Sequence, residues 1–168
     1  IKGSIAQLTA ALITAGTKVS VSDATVIIND AAFDANNNNT TINASELSAI
    51  GNATTGTVTV TNAVKIAGSK SDLTAALVTE STKVSASNAI VFINDADATS
   101  IAATELSAIG GQTNSTVILS NAVNISGTTD QLIAALITAL TKVTASTANI
   151  NFTDTPTDSQ FEAIDAVT

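Results

Sequence analysis

The sequence predicts an α/β protein: a right-handed β/α solenoid with short parallel strands stacked into sheets, short helices along another side, and about 30 residues per turn. Three observations carry this. "TVTVTNAVKIAGSKSDLTAAL" (Thr57 to Leu77) returns without a gap as "TVILSNAVNISGTTDQLIAAL" (Thr116 to Leu136), so the step from Thr57 to Thr116 is one full repeat. Apolar residues make up 45% of the chain but aromatics only 2%, all Phe, so Ala, Val, Ile and Leu must fill the interior. Such side chains suit thin layers of parallel strands and short helices. Finally, strand-like segments begin at Val58, Val84 and Val117, two steps of unequal length, with a helical pattern inside each. A strand returned beside its predecessor through a helix is a parallel crossover, and such crossovers are right-handed.

The repeat divides one domain, residues 1–168, into units 1–63, 64–122 and 123–168, each of two half-units. The first half-unit carries a helix. Ser4, Ser69 and Thr128 stand three residues before Gln7, Asp72 and Gln131, which is the spacing of a capping box. Leu8, Ala11 and Leu12 then mark one buried stripe, repeated by Leu73, Ala76 and Leu77 and by Leu132, Ala135 and Leu136. Thr79 falls on the opposite face of that helix.

A strand pair follows in each unit: Lys18 to Asp30, Lys83 to Asp95 and Lys142 to Asp154. Within it the apolar parity switches, from Val84 and Ala86 to Val91 and Ile93. Side chains alternate strictly along a strand, so the switch demands a bulge or a corner. Asp23, Asn62, Asn88, Asn121 and Thr147 sit at such corners, where a short polar side chain bonds local backbone and, stacked turn on turn, forms a ladder.

The second half-unit carries a helix of about two turns, which depends on packing for its stability. Leu47 and Ile50, Leu106 and Ile109, and Phe161 and Ile164 face inward. Unit one holds an insertion with four consecutive asparagines, Asn36 to Asn39, and unit three is shorter there and holds Pro156. Insertions at one corner are what a stack of coils tolerates.

Composition narrows the function. Fourteen acids against six Lys, with no Arg, give a net charge of −8, the wrong sign for nucleic acid or an anionic membrane surface. No apolar run approaches the ~20 residues of a membrane helix. Without His or Cys there is no Ser-His or Cys-His pair, and no zinc or phosphate-loop pattern occurs. What remains is acidic. Asp30, Asp95 and Asp154 recur at one repeat position, with Asp34, Asp97 and Asp158 two to four residues on. Such carboxylates close turns, and they are also the hard oxygen ligands that Ca²⁺ takes or the acid pair of a glycosidase. Asp30, Asp95, Asp97 and Asp154 are therefore the calcium candidates, and no other cofactor is implied.

The pattern "TGTVTVTNA…SDLTAAL…ELSAIG" resembles the Thr/Val/Ala-rich repeats of very large secreted surface proteins of cyanobacteria and other Gram-negative bacteria, often found near hemolysin-type (RTX) calcium-binding repeats. The resemblance spans nearly the whole chain and is one of composition and period. It implies an extracellular or cell-surface protein with an adhesin, S-layer or filament role. The glycine-rich calcium nonapeptide of RTX proteins is missing here.

The sequence thus points to a structural, non-enzymatic surface protein whose repeats form or extend a filament, sheath or S-layer; the alternative is a calcium-dependent or glycan-binding adhesin module. Ile1 aligns with Ile66, and the chain closes on "FEAIDAVT" without a distinct polar cap at either end. Solenoids shield their terminal turns, so the expected partners are like subunits or adjacent repeats stacked end to end, with no nucleic acid and no membrane insertion.

Overall fold

The computed structural model describes residues 1–17, 19–35, 41–138 and 142–168. Lys18, which opens the first strand pair, and the asparagine run Asn36 to Asn39 lie outside them. In chain order come β1 (Lys2–Gly3), α1 (Ile5–Leu12), β2 (Val26–Ile28), β3 (Thr41–Asn43), α2 (Ala44–Asn52), β4 (Val58–Val60) and β5 (Lys65–Gly68). Helix α3 (Lys70–Leu73) runs on into a π turn at Thr74–Val78 and a 3-10 turn at Glu80–Thr82. After it come β6 (Val84–Ser85), β7 (Ile90–Ile93), β8 (Ser100–Ala102), α4 (Ala103–Gly110), β9 (Val117–Leu119) and β10 (Asn124–Gly127). The chain closes with α5 (Thr129–Leu136), β11 (Val143–Thr144), β12 (Asn149–Phe152) and α6 (Asp158–Asp165).

The protein is α/β, with parallel-strand sheets and short helices. One sheet has the order β1-β2-β4-β6, a second β11-β9-β7-β5-β3 and a third β12-β10-β8. Every described pairing is parallel. The sequence distance between paired positions is nearly constant, as in Thr41 with Lys65, Lys65 with Ile90 and Val91 with Val117. Val26 with Val58, across the asparagine insertion, is the one longer step. The turn length expected from Val58, Val84 and Val117 averages two different kinds of step. Val58 does face Val84, but Val84 lies in the first sheet and Val117 in the second. Between α3 and α4 the chain visits all three sheets in succession through β6, β7 and β8.

That shift is the physical meaning of the parity switch. Val84 belongs to the first sheet and Val91 and Ile93 to the second, and a turn closed by the Ala89 N–H on the Ala86 carbonyl, 3.0 Å, joins them. Val19 and Val21 form no strand; their counterparts β6 and β11 exist by pairing with β4 and β9.

Consecutive helices pack on one another from α1 through α6, and one apolar cluster runs from Ile5 to Ile164. The capping boxes form at Ser4–Gln7 and Thr128–Gln131, and again at Thr157–Gln160. At Ser69 the hydroxyl accepts the Asp72 N–H and donates to its carboxylate. The stripes of α3 and α5 are buried; in α1 only Leu8 of its three is, since Ala11 and Leu12 stay half-exposed.

These three helices also share an ending. The N–H and Oγ1 of Thr79 both donate to the Thr74 carbonyl five residues back, at 2.9 and 3.1 Å. Thr14 closes on Thr9 and Thr138 on Ile133 in the same way. Thr79 is thus a helix-closing residue rather than a member of the solvent-facing stripe. Lys83 and Lys142 then turn the chain at φ 46° each, the left-handed region that costs a side-chain-bearing residue roughly 1–2 kcal/mol. Each is anchored to an earlier segment: the Lys83 carbonyl accepts the Val58 N–H and its Nζ donates to the Thr55 carbonyl, and Lys142 does the same with Val117 and Asn114.

Candidate functional site

The recurring aspartates sit two residues beyond β2, β7 and β12, where each strand ends and the chain turns away from its sheet. There each carboxylate reaches back to the helix that precedes its strand by about 25 positions. Asp30 accepts the Ile5 N–H at 2.7 Å, Asp95 the Lys70 N–H at 2.6 Å and Asp154 the Thr129 N–H at 2.8 Å, each spanning 25 positions. Asp154 also accepts the Thr129 hydroxyl at 2.7 Å. The acceptors meet the first N–H of α1, α3 and α5, groups that have no partner within the helix. The positive end of the helix dipole adds to the attraction. Each of these helices is therefore capped twice, once by its own Ser or Thr and once by an aspartate 25 positions on.

The backbone carbonyls of Asp30 and Asp95 are engaged from the other side. Asn62 and Asn121 donate their Nδ2 to them, at 2.6 Å each. These are two of the corner asparagines, and they join successive segments through backbone rather than through a ladder of side chains. A side-chain step of that kind lies instead between Asn149 and Asn124, which face each other in the register of β12 and β10.

Asp97 points away from its neighbour Asp95. Its carboxylate accepts the Ala122 N–H at 2.9 Å, 25 positions on, whereas Asp95 reaches back to α3. The structure thus commits Asp30, Asp95, Asp97 and Asp154 each to a different backbone N–H. Among the described residues no group of three or more His, Cys, Asp or Glu is placed to hold a metal ion.

A pairing that the repeat does not reveal joins Lys70, in the first turn of α3, to Glu105, in the first turn of α4, at 3.0 Å. Lys70 Nζ also donates to the Ser100 carbonyl, and Glu105 accepts the Ala102 N–H at 2.9 Å. Partial burial is the largest single influence on the Glu105 carboxyl and pushes upward. The Ala102 N–H and the bond and charge of Lys70 together outweigh it and hold the carboxyl below its ordinary value.

The C-terminal part of the chain holds a depression lined by both apolar and polar residues. A groove of about 330 Å³ lies between β12 and α6, lined in part by Ile150, Phe152, Phe161, Ile164 and Asp165. Phe161 does not face inward as its period implies. It is 50% exposed, its ring 5.9 Å from that of Phe152, while its counterparts Leu47 and Leu106 are fully buried. Among the described residues no helix is long and apolar enough to cross a membrane. Neither the protein-family models, the curated proteins nor the solved structures contain a match to this chain.

Proposed function

We propose that this chain is a structural, non-enzymatic repeat module, a right-handed β/α solenoid that forms or extends a filament, sheath or S-layer at a bacterial cell surface. The observation that carries this reading is where the polar groups are satisfied. The Asp caps, the Asn62 and Asn121 bonds and the lysine anchors all run from one coil to an adjacent one. A coil of this kind owes its order to its neighbours, as in other stacked-repeat proteins. The nearly constant step within each sheet, shorter than the turn expected from the sequence and longer only across the asparagine insertion, supports a regular coil.

Assembly follows from the same pattern. Among the described residues β1 pairs only with β2, and β12 only with β10. Ile1, next to β1, and Phe161, whose ring meets that of Phe152 in β12, are exposed. Open parallel edges recruit further strands, and contacts that repeat head to tail without closing give fibres. The low charged fraction, 12%, keeps the desolvation of such contacts small. Electron microscopy of the purified protein, with sedimentation velocity across a concentration series, tests the reading. Linear assemblies whose length grows with concentration are expected; globular particles of one size at every concentration would overturn it. Calcium titration followed by melting separates the adhesin alternative, which requires a large rise in melting temperature at millimolar Ca²⁺.

A further inference from the structure

We propose that Lys70 and Glu105 form a latch that closes the free edge of β8 to a strand from a second copy of this chain, an autoinhibitory contact over a latent interaction surface. The inference goes beyond the reading above and involves neither end of the molecule.

The edge is internal. β8 is the outermost strand of the third sheet, and among the described residues it pairs only with β10. Its other side meets the first turn of α3, in the middle of the chain. β4 and β5 lead directly into α3, whereas β6, β7 and β8 all precede α4. Only Ser69 stands between β5 and α3, so the chain supplies no strand of its own for the place beside β8.

The backbone groups on that side follow from the ladder. In a parallel pair successive residues bond alternately to the two neighbours. The Asn124 N–H reaches the Thr99 carbonyl at 2.9 Å, so Thr99 and Ile101 serve β10, while Ser100 and Ala102 turn their N–H and C=O groups to the free side. In β7 both sides are met by backbone, the Ile90 N–H on the Val64 carbonyl at 2.9 Å and the Val91 N–H on the Thr116 carbonyl at 3.0 Å. In β8 side chains take the place of the second strand. Lys70 Nζ donates to the Ser100 carbonyl at 2.8 Å, the Ala102 N–H donates to Glu105 Oε2 at 2.9 Å, and the two side chains meet at 3.0 Å. A single ion pair thus holds one acceptor and one donor of the edge.

The latch belongs to this strand alone. Ile5 and Thr129 stand where α3 carries Lys70, and neither offers an ammonium. Glu46 matches Glu105 but accepts from Asn43 Nδ2 at 3.2 Å. Charged side chains, lysine above all, are a common guard on strand edges. The pair is 26% and 39% exposed, which keeps it within reach of an approaching chain. A second copy is the occupant because the ladder is already built of like strands. Ser100 and Ala102 stand in register with Asn124 and Ser126, and these with Asn149 and Asn151, so a strand of the same pattern extends a ladder of three.

The test compares the wild-type chain with Lys70→Met, which keeps the stem and removes the ammonium, and with Lys70→Met/Glu105→Ala. Each is accompanied by its melting curve, so that loss of fold is seen as such. In sedimentation velocity Lys70→Met should associate at a concentration about tenfold below the wild type, and Lys70→Arg should match the wild type. Amide exchange at Ala102 locates the contact: in the double variant it should be fast in dilute solution and slow as association proceeds. Ser100→Pro, added to Lys70→Met, removes a donor from the free side and leaves the bonds to β10, so it should restore the wild-type level of association. Folded variants that associate no more than the wild type would overturn the proposal, as would association that leaves Ala102 exchange unchanged or that survives Ser100→Pro. If the double variant does not fold, Lys70→Met with and without Ser100→Pro decides the matter alone. Assembly through other surfaces is common to wild type and variants, so the structural-module reading stands or falls separately.

Discussion

Helices α4 and α6 follow one plan and end in different surroundings. Both place an apolar residue and an isoleucine three apart, Leu106 with Ile109 and Phe161 with Ile164, and both isoleucines are buried. Leu106 is fully buried and Phe161 is half exposed. The difference lies outside either helix. α4 is flanked by α3 and α5, whereas α6 packs chiefly on α5. A periodic stripe specifies which face of a helix can be buried, and the neighbouring elements decide whether it is.

The largest expected effect breaks this comparison at its centre. Leu106→Ala should destabilise by about 2–5 kcal/mol, the range for a buried leucine. Phe161→Ala should cost about 1 kcal/mol or less, because the ring is already half in water. Urea unfolding of the two variants measures both, and equal losses would mean that α6 is covered in solution.

The next contrast is at glycine. In a helix Gly→Ala ordinarily stabilises by about 0.5–1 kcal/mol. At Gly51 the added methyl meets Thr82 at 2.8 Å, so Gly51→Ala should instead destabilise, by about 1–3 kcal/mol of overpacking. At the matching position of the last coil, Asp165→Ala should stay within about 0.5 kcal/mol. Thermal melts of the pair decide the sign.

The carboxylate caps should grade with burial. Asp95, half-buried, and Asp154, exposed, make the same bond to α3 and α5. Asp95→Ala should cost about 1–2 kcal/mol, as other lost N-terminal caps do, and Asp154→Ala less. Amide exchange at Lys70 and Thr129 reports each cap separately.

The smallest effect belongs to Glu105. Its folded pKa lies below its ordinary value of 4.5, so its contribution is fully present above the unfolded pKa and is lost as pH falls through the folded one. Glu105→Gln should therefore cost less than about 1 kcal/mol at neutral pH, the worth of a solvent-exposed pair, and nothing in strong acid. Stability curves that stay parallel down to acid pH would contradict this.

What the sequence made legible was local. Ser4 with Gln7 and Thr128 with Gln131 are three residues apart, and their capping boxes form as the spacing requires. The parity switch between Val84 and Val91 required a corner, and a corner is there. What escaped was set by neighbours in space. Asp30, Asp95 and Asp154 are turn residues by their surroundings in the sequence, yet their partners lie 25 positions earlier. Val84 and Val117 look like successive rungs because strands of different sheets share one pattern. Phe161 carries the period of a core residue, and nothing within its own helix distinguishes it from Leu106.

The central proposal is that the repeats are ordered by their neighbours and that like subunits associate through them. Amide hydrogen exchange in β1, β7 and β12, followed across a concentration series, tests it most directly. β7, paired on both sides, should be protected at every concentration. β1 and β12 should exchange quickly in dilute solution and gain protection as concentration rises. A monomer that persists at high concentration, with both end strands already slow to exchange, would contradict the account.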